Sequence, residues 1–344
     1  MKIKSYTALI IFILCFALCL GGCGKSRSPA LDPEKLNVIC TNFPAYDFVR
    51  QIGGQRVNPL LLVPPGAESH SFEPTAQDMT ALIGCGLIVA NGGVGESWLD
   101  SLISGGEVTA PVLRMMDYVN LYEEEHREGM QSAGHTHEHD ESCSHEEHEH
   151  MHENAPKAED HGDTAHEAEY DEHVWTSPVN AALICRGISQ ALSLADPEGA
   201  DLYAAAADSY CTALEALDSR FRAVVDAAPR RTMIFADRFP VRYFVEEYGL
   251  EYFAAFPGCA EDTEPSAKTV AFLIDKVRQE DIGAVYYIEF SNEKMADVIV
   301  EDTGCKKLLF HSCHTVGADQ LESGVTYLQL MEQNLENLRE GLSR

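Results

Sequence analysis

The chain has 344 residues, enough for one large or two medium domains, and 45% of them are apolar, so full hydrophobic cores can form. Its 55 acidic residues against 25 basic ones give a formal net charge of -30. That balance excludes the basic face which nucleic-acid phosphates need, and it suits a protein that attracts cations.

Lys2 and Lys4 precede an uninterrupted apolar run from Ala8 to Leu20. At 13 residues the run is shorter than the roughly 20 that span a bilayer, and it has the length of a secretory signal core. It ends in Leu20-Gly21-Gly22-Cys23, which resembles the lipobox of bacterial lipoproteins, where the cysteine takes the lipid and becomes the new N-terminus. Residues 1–22 are therefore expected to be a signal peptide, Cys23 the lipidated residue and 23–35 a polar tether. An ordinary signal peptide with a chance cysteine is the alternative. A lipid anchor implies an extracytoplasmic protein held at the bacterial cell membrane. Of the later cysteines, Cys40, Cys85, Cys143, Cys185, Cys211, Cys259, Cys305 and Cys313, none forms a CxxC pair. Their scatter predicts single buried thiols rather than a disulfide framework.

Asn37 to Thr41 reads as a first strand, ending at the turn Asn42-Phe43-Pro44. A helix follows from Ala45 to Ile52, then a strand over Val57–Val63, a helix over Thr75–Ile83 and a strand over Leu87–Ala90. Such alternation predicts a parallel α/β layer. Glu123 to Glu172 differs in kind: its 50 residues hold ten histidines, 18 acids and two bases. With so few large apolar residues it cannot bury a core, and disorder is expected. Ser177 and Pro178 open a helix that runs to about Leu194, and Asp196-Pro197 opens another that runs to about Ala228. Leu202, Ala206, Tyr210, Ala213, Leu217, Phe221 and Val224 lie along the latter at helical spacing. This long helix is a candidate strut between two lobes. A second alternating set follows: strand Thr232–Ala236, helix Val241–Tyr248, helix Ser266–Gln279, strand Ala284–Phe290, strand Lys306–Phe310 and helix Val325–Leu342. The fold class expected is α/β, two parallel-sheet lobes spanning 36–195 and 229–344, joined by one long helix over 196–228, with 123–172 inserted in the first lobe.

Four histidines lie outside the low-complexity stretch: His70, His173, His311 and His314. Each falls where a strand or loop of the α/β pattern ends, which is where open α/β sheets collect ligands. Zinc takes histidine nitrogen and carboxylate oxygen in a tetrahedral set, so the four suggest a metal site. The literal HExxH match at His148-Glu149-His150-Met151-His152 carries nothing, because that motif needs a packed helix and this segment has histidine at every second or third place.

The chain resembles the solute-binding proteins of zinc and manganese ABC importers. The resemblance rests on Thr41-Asn42-Phe43-Pro44 with Asp47 and Ile52-Gly53-Gly54, and on Leu62-Val63-Pro64-Pro65-Gly66 with His70-Ser71-Phe72-Glu73-Pro74. It continues through Asp171-Glu172-His173-Val174-Trp175 with Ser177-Pro178-Asn180-Ala181, then Tyr243-Phe244 with Tyr248-Gly249-Leu250. It implies two α/β lobes on one long helix, metal in the cleft, a permease as partner and an acidic histidine-rich insertion in zinc-selective members. The stretch over 123–172 itself reads as a weak, multi-site zinc collector, because neutral imidazoles bind zinc, or else as a solvated charged spacer. The resemblance also implies that His70 and His173 are ligands from the first lobe. The third family position, usually histidine or glutamate, falls on Arg238, which has no lone pair for a cation. Asp237 beside it is the substitute, or else only a cap for the helix at Val241. The fourth position falls on His314, with His311 three residues earlier as a second donor or support, while Glu289 reads as structural. Imidazoles favour zinc over manganese. The expected protein is a monomeric binding receptor for zinc, with manganese, a metal-dependent hydrolase and a metal-stabilised adhesin as competing readings.

Overall fold

The computed structural model describes residues 30–67, 72–131, 169–260 and 264–343. The signal segment, Cys23, His70, Cys143 and most of the histidine-rich stretch lie outside the described residues. The first lobe runs β1 (Leu36–Cys40), α1 (Phe43–Gly53), β2 (Val57–Leu61), α2 (Ala76–Gly84), β3 (Leu87–Ala90), α3 (Ser97–Gly105), β4 (Val112–Arg114) and α4 (Pro178–Ala195). The 28-residue α5 (Ala200–Ala227) leads to the second lobe. That lobe runs β5 (Thr232–Phe239), α6 (Arg242–Tyr248), β6 (Glu251–Pro257), α7 (Ala267–Gln279), β7 (Ala284–Tyr287), α8 (Lys294–Thr303), β8 (Lys306–Leu309), α9 (Ala318–Glu322) and α10 (Tyr327–Gly341).

Each lobe carries a four-stranded parallel sheet, ordered β2-β1-β3-β4 and β6-β5-β7-β8. The α/β class and the two lobes are thus as the sequence suggests. β4, β6, α3 and α8 escaped the pattern because they are short or lack clean alternation. Side chains of a strand alternate between faces, and the burial follows. Val38, Cys40, Leu87 and Val89 enter one core, while Ile39, Ile88 and Ala90 enter a second beneath α2 and α3. In the other lobe Met233 and Phe235 point inward, and Ile234 and Ala236 pack under α7 and α8.

The inward faces of both sheets share one core with α1, α4, α5 and α10. Along α5 the N-terminal half packs on α4 and α1, and Phe221 meets Phe244 and Tyr248 of the other lobe at 4.9 and 5.4 Å between ring centroids. At 28 residues the helix is about 42 Å long. Its buried stripe begins at Tyr203 and Ala207, with Leu202 exposed. The alanine run before Tyr210 offers no contrast to set the phase, so the expected Leu202–Ala206 face is one residue out.

Behind the lobes a buried knot ties α1 to α10. Asp47, fully buried, accepts hydrogen bonds from Tyr327 N at 2.7 Å and from Arg50 at 2.6 Å. Arg50 also donates to the Val325 carbonyl at 2.6 Å. Trp175 donates its indole N–H to the Ser312 carbonyl at 2.8 Å, and Tyr327 donates its hydroxyl to the Trp175 carbonyl at 2.7 Å.

The expectation of disorder fails at both ends of 123–172. Residues 123–131 lie across the second lobe, and a bridge pairs Glu123 with Tyr170. Arg127 stacks on Tyr252 at 3.9 Å, Glu125 pairs with Arg242 at 2.5 Å, and Gln131 N donates to the Ala255 carbonyl at 2.8 Å. Average composition hid these anchors, because the acids here are matched by arginines of the other lobe.

The described cysteines, Cys40, Cys85, Cys185, Cys211, Cys259, Cys305 and Cys313, are single thiols, most of them buried. Among the described residues no helix is long and apolar enough to cross a membrane.

Candidate metal centre

A cavity of about 200 Å³ lies between the lobes. Gly66, Ala67 and His173 line it from the first lobe; Arg238, Glu289, Phe290, Ser312 and His314 line it from the second. The rings of His173 and His314 face each other edge to face, 5.5 Å between centroids, with Trp175 5.5 and 5.2 Å from them. His70 lies outside the described residues, and Gly66 and Ala67, which lead into its loop, line the same cavity.

His173 precedes a short turn that enters α4, and Ser177 caps that helix through Asn180 N. Asp171 Oδ1 accepts both the backbone N–H of His173, at 2.8 Å, and a bond from its Nδ1, at 3.1 Å. A proton on Nδ1 leaves the Nε2 lone pair for a cation, the arrangement in which a second carboxylate orients a ligating histidine. Burial alone would lower the His173 pKa; the Asp171 charge and hydrogen bond outweigh it and raise it. From the other lobe, Tyr243 donates to the Asp171 carbonyl at 2.8 Å.

His314 stands at the end of a loop that follows β8. Glu289 grips that loop: it accepts from Ser312 N at 2.7 Å and Ser312 Oγ at 2.5 Å, and Ser312 Oγ accepts from His314 N at 3.2 Å. Glu289 Oε1 also lies 3.3 Å from His311 Nδ1. Burial pushes the Glu289 pKa up, but His311 and Ser312 outweigh it and bring it down to about 2. His311 is buried, its backbone N–H donating to Asn334 Oδ1 at 2.7 Å.

Asp237 occupies the irregularity where the β5–β6 register shifts between Phe235 and Arg238. Its carboxylate accepts from Arg238 N at 2.8 Å and Ile288 N at 3.3 Å. Burial raises its pKa against these bonds. The helix-cap alternative does not hold: α6 starts at Arg242 with Val241 as its cap residue and no side-chain cap. At this point the cleft wall is Arg238.

The structure therefore brings His173 and His314 together, sets His311 behind them, and holds Asp237 on backbone donors. Among the described residues no three His, Cys, Asp or Glu side chains are gathered as a metal-holding group. Asp171, Trp175 and Ser312 were missed as parts of the site. The signal for Asp171 was its spacing two before His173, where an aspartate reaches back to the backbone.

The model of the family described as zinc-uptake complex component A, periplasmic, matches residues 38–341. The chain is 28% identical over 346 residues to the high-affinity zinc uptake system protein ZnuA of Bacillus subtilis, covering 98% of each. It is 26% identical over 335 residues to the zinc-binding lipoprotein AdcA of Streptococcus pneumoniae, covering 97% of this chain but 60% of AdcA. Among solved structures, the metal-dependent lipoprotein YcdH of B. subtilis superposes with a TM-score of 0.70 at 24% identity, covering 90% of this chain and 100% of that one. The Zn(II)-bound ZnuA-like domain of S. pneumoniae AdcA superposes with a TM-score of 0.69 at 22% identity, covering 90% and 100%.

Proposed function

The chain belongs to the zinc-uptake complex component A family, and from that membership we propose that it is the extracytoplasmic zinc receptor of an ABC-type importer. It captures one ion between its lobes and delivers it to the permease. The observation that carries this reading is the pair His173 and His314, one from each lobe, facing across a shared cavity with Asp171 behind the first ring. Imidazole donors on both walls favour zinc over the harder manganese.

The ligand set we propose is His70, His173 and His314. Asp237 completes it by exchanging its long bond to Ile288 N for the metal, and His311 supports the His314 loop. The chemistry is capture and release of a cargo ion, without turnover. Lipidation at Cys23 would hold the receptor, as a monomer, at the membrane surface, which accords with the lipoprotein relatives. The stretch over 132–168 would gather zinc beside the cleft, since its histidines raise the local concentration of ligand.

Chelator competition on the full chain tests the reading. His173→Ala should weaken the tightest zinc site at least tenfold, about 1.4 kcal/mol, and His314→Ala likewise. Unchanged tight binding in both variants removes the cleft as the zinc site.

A further inference from the structure

The turn over 64–67 follows β2 and carries the first lobe to the mouth of the cleft, with Ala67 N donating to the Pro64 carbonyl at 3.0 Å. Gly66 both lines the cavity and meets solvent, which places it at that mouth. Its φ of +75° is one that residues with a side chain rarely adopt. His70 follows four positions later in the chain.

Two side chains of the second lobe converge on this glycine. Gly66 N donates to Thr315 Oγ1 at 2.9 Å, across 249 positions of sequence. Phe290 reaches the same residue from another segment: a Cβ built on Gly66 would lie 3.6 Å from Phe290 Cε1, an ordinary contact distance. The ring edge therefore stands over the turn. Phe290 is also unusual in itself, being 59% exposed with a φ of +60°. A bulky residue in the left-handed region is an outlier. Such strain persists where the surroundings over-determine it, and it gathers at ligand clamps. Burial within its own lobe does not explain this ring, most of which is in water.

Both contacts descend from one anchor. Glu289 immediately precedes Phe290 and grips the His314 loop through Ser312 N and Ser312 Oγ. Thr315 directly follows His314, and Val316 after it is fully buried, so the hydroxyl is held from both sides. Phe290 and Thr315 both line the cavity. A chance meeting of two loops accounts for the hydrogen bond taken alone. It does not account for a strained, exposed phenylalanine that arrives at the same glycine from a second segment.

We propose that Thr315 and Phe290 are positioning residues for the captured ion: they latch the 64–67 turn across the mouth of the cleft and thereby slow the ion's release. The latch rests on the reading that the ion lies between His173 and His314. Neither side chain ligates it, since the Thr315 hydroxyl is engaged with Gly66 N and a phenyl ring offers zinc no lone pair. Escape through the mouth requires the first-lobe turn and the second-lobe loop to part, and the latch must break before they do.

The full chain, loaded with one equivalent of zinc and mixed with excess chelator in a stopped-flow cell, tests it through the rate of the slowest phase of release. Thr315→Val removes the acceptor and should speed release roughly fivefold, the equivalent of one ordinary hydrogen bond. Phe290→Ala should speed it by a similar factor. Thr315→Ser keeps the hydroxyl and should release at the original rate. So should Thr303→Val, which removes a threonine hydroxyl bond from α8 of the same lobe, away from the cleft. Unchanged rates in both Thr315→Val and Phe290→Ala overturn the latch and leave the metal site standing. Equal acceleration in Thr303→Val means general loosening and also overturns it. If the unaltered chain retains no zinc against the chelator, the cleft site fails and the latch with it. If one variant does not fold, the other decides.

Discussion

Asp171 determines what His173 can offer. By accepting from Nδ1 and from the backbone of the same residue, it sets both tautomer and ring angle, so its removal should act on affinity without touching the metal. Asp171→Ala should weaken tight zinc binding by 10- to 100-fold, the usual cost of losing such a partner, read by chelator competition; an unchanged constant would mean that packing against Trp175 alone orients the ring. Asp237 and Arg238 make a second comparison. A carboxylate offers lone pairs and a guanidinium offers none, so Asp237→Ala should cost more zinc affinity than Arg238→Ala. The reverse order would leave the aspartate as a clasp between β5 and β7. Histidines were legible in the sequence because few residue types bind zinc, and each stands out singly. Their supports were not, since Glu289 reaches Ser312 across 23 positions and nothing local announces such a bond.

At the level of elements, periodicity located the strands with unbroken apolar runs and the helices with marked caps, such as Asn42 for α1, Ser177 for α4 and Ser266 for α7. It failed for β6, where Glu251-Tyr252-Phe253-Ala254 mixes a charge with aromatics, and for α8, whose cap residue Glu293 has a φ of +56° and no side-chain cap. It also gave no hint that α1 and α10, some 280 residues apart, meet at Asp47. Here burial and charge together set the magnitude. Asp47→Ala removes the acceptor of the buried Tyr327 N–H and the partner charge of Arg50, which keeps its bond to the Val325 carbonyl, and should cost about 3 kcal/mol, the low end for breaking a buried pair. Urea unfolding of the metal-free chain measures it; a loss under 1 kcal/mol would make the knot incidental.

For the whole molecule, the two ends of the inserted stretch separate what composition lumped together. Deleting 132–168 should leave the melting temperature of the metal-free chain nearly unchanged, because that sequence cannot offset its ordering entropy, while lowering zinc stoichiometry by several ions. Deleting 123–172 instead removes Arg127 from Tyr252, Glu125 from Arg242 and Asp171 from His173, and should lower both stability and cleft affinity. Equal melting curves for the two deletions would show that the anchored ends of the stretch contribute nothing. Residues 123–131, the long helix and the Asp47 knot each join the lobes, so the two are fastened at several places rather than one. A container hinged at one point can swing open unaided, and its contents equilibrate quickly with the surroundings. One sewn shut along several seams keeps its contents for as long as the seams hold, so tight capture entails slow spontaneous exchange. Spontaneous release of the ion is then expected to be slow, and a chase of bound zinc with excess chelator measures it.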